Sequence, residues 1–387
     1  MHRPEVGQSP SPEAGILDRG RIPSLDGLRG VAIVAVLLQH AWHTLPAFLA
    51  PLGFFLGNGG LGVSVFFLLS GFLIYSLSVR EYHKTNTFNC KQFYIRRTLR
   101  IFPCFYFYVL VVLALAHFGW ITVTDRSILA AATFTLNYRH LWDLWPVGLD
   151  YPVIGHYWTL ALEEQFYLMW PLLMLLFVRR SLSGILIAFI LLAPLVRVAS
   201  YFLMPGSRAH IGMMFHTGFD SIAAGVLLGE LLRSPQWSAK LQQFAANRAV
   251  LAAAIIFPTL ISPLLGLHFE GAYLITVGKT LDIVCIALVL TAAVSQPKTR
   301  LFNFLNWRPL AFVGVLSYSL YIWNNLFLMG DTFGIFNTFP LNLLCVMGIG
   351  LLSYFLLEKP FLKLKDYFHK PSLPNAVTIG KQRPLEA

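Results

Sequence analysis

Charge is scarce in this chain. Only 12% of its 387 residues are Asp, Glu, Lys or Arg, about half the share of a typical soluble domain, and that deficit excludes water as the main solvent. Cysteine is scarce too: Cys90, Cys104, Cys285 and Cys345 stand apart, with no CxxC pair and no metal-ligand spacing. Three of them fall inside apolar runs, so buried thiols are expected, and neither a disulfide framework nor a metal centre is. No HExxH, Walker loop or G-x-S-x-G elbow occurs, and Ser70 has no flanking triad pattern. There is no repeat of fixed period, no low-complexity tract and no second soluble domain. The first 29 residues are polar and lack the compact apolar core and small-residue cleavage site of a signal peptide. Disordered cytoplasmic tails over 1–23 and 367–387 are therefore expected, flanking one domain at 24–366.

What the chain has in quantity is apolar length. Hydrophobic residues make up 56% of it, and the mean hydropathy is +0.64. Ten apolar segments stand at about 31–50, 60–79, 101–119, 157–178, 184–203, 213–232, 248–266, 272–294, 310–330 and 340–358, each near the roughly 20 residues a membrane helix needs. The formal charge of +11 raises the question of nucleic acid, but 24 of the 29 Lys and Arg fall on one side of such a ten-span chain. Only Arg126, Arg139 and Arg208 lie in loops on the other side, with Arg197 and Lys279 inside helices. That asymmetry is the positive-inside rule for a protein with both ends in the cytoplasm. The expectation is an all-α, polytopic membrane helix bundle of about ten transmembrane helices in the cytoplasmic membrane, with no nucleic-acid partner.

Ionisable groups inside such a bundle cost about 2.5–3.5 kcal/mol each on insertion scales, so each asks for a purpose. In "DGLRGVAIVAVLLQHAWH", Arg29 precedes His40 by eleven residues, roughly 16 Å along a helix axis. Eleven steps of about 100° end only about 20° past three full turns. If the helix includes Arg29, both side chains share a face, Arg29 at the inner surface and His40 near the midplane. A core histidine and a topological arginine are the plainer explanation and fit as well. His43, about 300° round the helix, is read as a bystander. In "HYWTLALEEQFYLMWP", Glu163 and Glu164 diverge by about 100°, so at most one faces a given site. Glu163 falls within about one helical turn of His40's height, where a carboxylate raises imidazole basicity and fixes its tautomer.

In "FYIRRTLRIFP", Arg96, Arg97 and Arg100 crowd the entrance to the third span, with Arg96 and Arg100 on one face. Their planar forks suit phosphate oxygens, although lipid headgroups would attract the same cluster. The glycines of "GGLGVSVFFLLSGFLI" suit close helix packing. His216 and Asp220 of "FHTGFD" are spaced for a helix-surface hydrogen bond. The outer stretch 120–156, with Tyr138, Trp142, Trp145 and Tyr151, is either an interfacial aromatic belt or a stacking platform for a sugar ring.

Together and in this order, these segments resemble the acyltransferase-3 family of integral membrane O-acyltransferases, from about Ser24 to Phe361. The pieces are "SLDGLRGVAIVAVLLQH" with its Arg-x10-His, "GGLGVSVFFLLSGFLI", "RRTLRIFP", "HYWTLALEEQFYLMWP", "FDSIAAGVLLGELL", "VGVLSYSLYIWNN" and "SYFLLEKP". The resemblance implies transfer of an acyl group, usually acetyl, from cytoplasmic acyl-CoA to a hydroxyl of a carbohydrate or a glycosylated small molecule. It implies essential roles for Arg29 and His40, an acidic role for Glu163, and donor binding by Arg29, Arg96, Arg97 and Arg100. Two positions depart from the family pattern: Ser64 stands where many members have aspartate, and Trp323-Asn324-Asn325-Leu326 where many have Trp-His-x-Pro. The chain looks like the stand-alone type, without an SGNH esterase-like domain.

On these grounds His40, supported by Glu163, is expected to act as general base, with acyl-CoA as co-substrate and no metal. An acyl-histidine intermediate is the variant mechanism. The rival reading is a multipass transporter or exporter using the buried His and Glu as a proton relay, against which stands the lack of inverted-repeat symmetry.

Overall fold

Every regular element is helical among the described residues, 23–49, 51, 58–144, 151–177, 180–296 and 299–367 of a computed structural model. Six helices are long and apolar enough to cross a membrane: Gly59–Thr85 (α2), Cys90–His117 (α3), Ser183–Leu203 (α5), Arg248–Ser295, Arg308–Leu328 (α10) and Leu341–Leu364 (α11). The 48-residue stretch Arg248–Ser295 doubles back at Glu270, whose φ of 50° breaks the helix. Its arms, 248–269 (α8) and 271–295 (α9), form a hairpin. Three shorter or more polar helices stand where further spans were expected: α1, Pro23–His40, α4, Trp158–Phe177, and α6, Asp220–Arg233. A polar surface helix, α7, Pro235–Ala246, links α6 to the hairpin. The expected all-α membrane bundle is the architecture found.

The outside of this bundle is apolar, as a lipid solvent requires. Leu168 and Leu172 on α4 and Leu191 and Leu195 on α5 are all exposed. Helix association therefore rests on close packing, and small residues supply it. A Cβ on Gly314 of α10 would lie 1.7 Å from the Asp26 carbonyl of α1, and one on Gly62 of α2 2.6 Å from the Ala32 carbonyl. These contacts clamp α1 between α2 and α10. Because Asp26 meets Gly314 and His40 meets Asn324, α1 and α10 run parallel.

Three boundaries differ from the hydropathy expectation. Helix α1 starts before the apolar run and ends at His40, since the prolines of "LPAFLAP" leave only single turns at Trp42–Thr44 and Ala47–Leu49. His40 is thus the last residue of the first helix, not its middle. Helix α3 starts at Cys90, capped by Asn89, whose side chain accepts the Gln92 N–H. Arg96, Arg97 and Arg100 therefore sit on a helix rather than in a loop. The sixth segment breaks near Phe219, leaving the single turn Phe215–Gly218 ahead of α6. The four cysteines are free thiols, with Cys104 buried and the others half-buried. Trp145 and the two tails, apart from Pro23 and Tyr367, lie outside the described residues.

Candidate active site

Arg29 and His40 belong to one uninterrupted helix, so their separation is roughly 16 Å along its axis. Arg29 pairs with Asp26 one turn earlier, at 3.3 Å. It also lines a cavity of about 120 Å³ bounded by α1, α2, α3, α4 and α10. Arg97 and Arg100 reach the same cavity from α3, Glu163 and Tyr167 from α4, and Ser70 from α2. Three guanidinium groups face one carboxylate, so the cavity carries excess positive charge.

Glu163 is held in place on both oxygens. Ser70 donates to Oε1 at 2.8 Å and the Tyr167 hydroxyl to Oε2 at 3.2 Å. The Arg97 guanidinium lies 4.8 Å from the centroid of the Tyr167 ring, close enough for a cation–π contact. Glu164 turns aside, with Oε1 buried and meeting no hydrogen-bond donor among the described residues. Arg96 also turns away and forms an ion pair with Glu81 at 2.7 Å. The basic surface at the cavity is therefore Arg29, Arg97 and Arg100, because Glu81 draws the Arg96 side chain away although its spacing from Arg100 would let the two share a face.

The cavity climbs α2 from Leu77 to Val63, a rise of roughly 21 Å. Near its far end stand Thr159 and Tyr321, with hydroxyls 2.6 Å apart. One turn further along α10, Asn324 donates through Nδ2 to the Tyr321 carbonyl at 2.5 Å. Its Oδ1 meets His40 Nδ1. Since the Asn324 amide nitrogen is engaged with a carbonyl, Oδ1 can only accept, so His40 Nδ1 carries the proton and Nε2 the lone pair. An imidazole held in that tautomer can take a proton at Nε2. Glu163 stays at the level of the arginines and makes no hydrogen bond to His40. The partner is Asn324, which sequence reasoning missed: its one signal was its place in Trp323-Asn324-Asn325-Leu326, the departure from the resembled Trp-His-x-Pro pattern.

A second cavity, of about 760 Å³, lies at the C-terminal end of α1. Gln39, His43, Ser64 and Trp158 line it, and it shares Val63 and Phe67 with the first. His43 is thus a lining residue. His216 and Asp220 do not pair with each other. The Tyr138 hydroxyl meets His216 Nδ1 at 3.3 Å, while Asp220 sits between Arg197 Nη1 at 2.6 Å and Lys279 Nζ at 2.8 Å. In the connection after α5, His210 stacks on His140 with ring centroids 6.2 Å apart. Burial, then the Arg139 charge and His140, push the His210 imidazole down to about 4.

The profile of a family described as an acyltransferase domain matches residues 22–359. Similar chains include YrhL of Bacillus subtilis, 27% identical over 88% of this chain and 54% of its own length. The peptidoglycan O-acetyltransferase OatA of Listeria monocytogenes is 27% identical over 79% of this chain and 49% of that one. The O-acetyltransferase OatA of Staphylococcus aureus is 28% identical over 78% and 50%. The chain thus spans about half the length of these relatives. No solved structure matches it.

Proposed function

The chain belongs to the acyltransferase-3 family, and from that premise we propose that it is a membrane O-acyltransferase, moving an acetyl group from cytoplasmic acyl-CoA to a hydroxyl of a carbohydrate. The observation that carries this reading is the convergence of Arg29, Arg97 and Arg100 on one cavity that rises toward His40's partner. Phosphates of the donor dock on the three guanidiniums, which bind oxygens in bidentate fashion. The pantetheine arm runs along the cavity, whose rise of roughly 21 Å matches an extended chain of that kind.

His40 Nε2 then takes the acceptor's hydroxyl proton while that oxygen attacks the thioester carbonyl. The C–S bond breaks, and the imidazolium returns its proton to the departing thiolate, giving ester and free CoA with His40 neutral again. Glu163, anchored by Ser70 and Tyr167, shares the cavity with Arg97 and Arg100 and takes no part in proton transfer. Ten crossings with both ends in the cytoplasm put the arginines on the donor side and His40 deeper, toward the far face. The peptidoglycan named for the relatives from Bacillus and Listeria makes a cell-wall glycan the acceptor class to try first.

Purified protein in detergent, given radiolabelled acetyl-CoA and N-acetylglucosamine oligomers, tests this directly. Label moves to the oligomer and free CoA appears without any ion gradient. No label on the oligomer and no thioester consumed would contradict the transferase reading, and gradient-driven solute uptake by the same protein in liposomes would support a transporter.

A further inference from the structure

The structure assigns the second cavity to the sugar: we propose that the 760 Å³ chamber between α1, α2, α5 and the α8–α9 hairpin binds a neutral, hydroxyl-rich acceptor through Asp282 and Lys279. This rests on the acyltransferase reading and goes beyond it by naming where and how the acceptor is held. The volume lies within the roughly 300–1,000 Å³ of small-molecule sites.

The charges select the ligand. Arg197 and Lys279 line this cavity, and Asp282 lines it too, with Asp220 buried against both cations. With paired carboxylates counted in both, two cations balance two carboxylates here, whereas the first cavity sets Arg29, Arg97 and Arg100 against Glu163 and Asp26 and keeps one positive charge over. A phosphate gains nothing from the balanced chamber, whereas a polyol can both donate and accept there.

Donor and acceptor bookkeeping then singles out two groups. Arg197 has no hydrogen left to give: Nε donates to the Ile275 carbonyl, Nη1 to Asp220 and the Thr217 carbonyl, and Nη2 to the Thr276 carbonyl and Thr280 Oγ1. It is structural. Lys279 gives one hydrogen to Asp220 at 2.8 Å and one to the Gly218 carbonyl at 3.3 Å, leaving a third for a ligand. Asp282 accepts from Ser262 through Oδ2 at 3.0 Å, while its Oδ1 is buried and meets no donor among the described residues. A buried carboxylate oxygen without a donor is costly, and a sugar hydroxyl supplies the missing hydrogen. Trp42 and Trp158 line the same chamber and offer ring faces to a pyranose. The shared wall of Val63 and Phe67 sets the chamber against the upper end of the donor cavity, at the C-terminal end of α1 that His40 closes.

Gly266 provides a clean block. It lines the chamber, and a Cβ there meets nothing within 4 Å, so Gly266→Trp fills the space without a backbone clash. Binding of an N-acetylglucosamine oligomer is read by tryptophan fluorescence, independently of turnover, on variants that elute as the wild type does. Asp282→Asn should weaken binding at least about tenfold, Asp282→Glu should recover part of it, and Gly266→Trp should abolish it. In the radiolabel transfer assay Asp282→Asn raises the acceptor KM while the acetyl-CoA KM stays put, and Gly266→Trp stops transfer to the oligomer. Oligomer binding that survives Gly266→Trp, or a wild type that binds no oligomer, overturns the assignment. A wild type that binds the oligomer yet consumes no thioester leaves the assignment standing and defeats the transferase reading.

Discussion

Asn324 decides what His40 can do. Its amide nitrogen is engaged by the Tyr321 carbonyl, so its oxygen holds His40 in the tautomer with a free Nε2 lone pair. Asn324→Ala should lower kcat roughly 10- to 100-fold, part of what a positioned base contributes, and leave the acetyl-CoA KM unchanged. Asn324→Asp keeps an acceptor for Nδ1–H and should recover much of the loss. A raised donor KM in Asn324→Ala would instead make the residue a packing element of the donor cavity. Arg29→Ala belongs to the other half of the split: the donor KM rises about tenfold or more, the worth of one charged hydrogen bond, with kcat little changed. The sequence made Arg29 and His40 legible because their spacing is local to one helix. It hid Asn324, because that contact bridges 284 positions of chain and asparagine in an apolar helix carries no functional signal alone.

At the scale of the helix, hydropathy located the apolar stretches and misplaced their ends. The stretch 90–100 belongs to α3 although it is polar, because the Asn89 cap and continuous backbone hydrogen bonding extend the helix past the apolar band. On that extension the ion pair with Glu81 holds Arg96 away from the cavity that Arg97 and Arg100 line. The glycines of α2 were legible as packing residues, and their reciprocity with a glycine of α6 shows why. A Cβ on Gly71 would sit 2.1 Å from the Ile222 carbonyl, and one on Gly225 2.0 Å from the Leu68 carbonyl. Backbone on both sides leaves nothing to yield, so Gly71→Leu or Gly225→Leu should cost more than the about 1–3 kcal/mol of ordinary overpacking. The measurement is the yield of monodisperse protein in detergent. A near-normal yield from either variant would show that α2 and α6 pack less tightly than these distances imply.

Across the whole molecule, the two cavities divide charge. The cavity at Arg29, Arg97 and Arg100, proposed for the donor, is basic, the chamber at Asp282 and Lys279, proposed for the acceptor, is balanced, and both are lined by α2. The connection after α5 adds a pH dependence of its own. Because His210 is held at about 4, below its ordinary 6.5, the folded protein resists a proton that the unfolded chain accepts. Its contribution is complete above about pH 6.5 and is lost as pH falls toward about 4. Thermal midpoints in detergent should therefore drop across that window, and His210→Asn should flatten the slope. An unchanged slope would mean that other groups govern acid sensitivity. None of this long-range assembly was readable from the sequence, since it depends on which faces of helices distant in the chain meet.

The most direct test of base catalysis at His40 pairs binding with turnover in one variant. Purified His40→Ala, given labelled acetyl-CoA and the glycan oligomer, should bind the donor as tightly as the wild type, because the arginine cavity is untouched. Its transfer rate should fall by about 10²–10⁴-fold, the worth of a general base. Transfer within a few-fold of wild type, with the donor bound normally, would contradict His40 as the base.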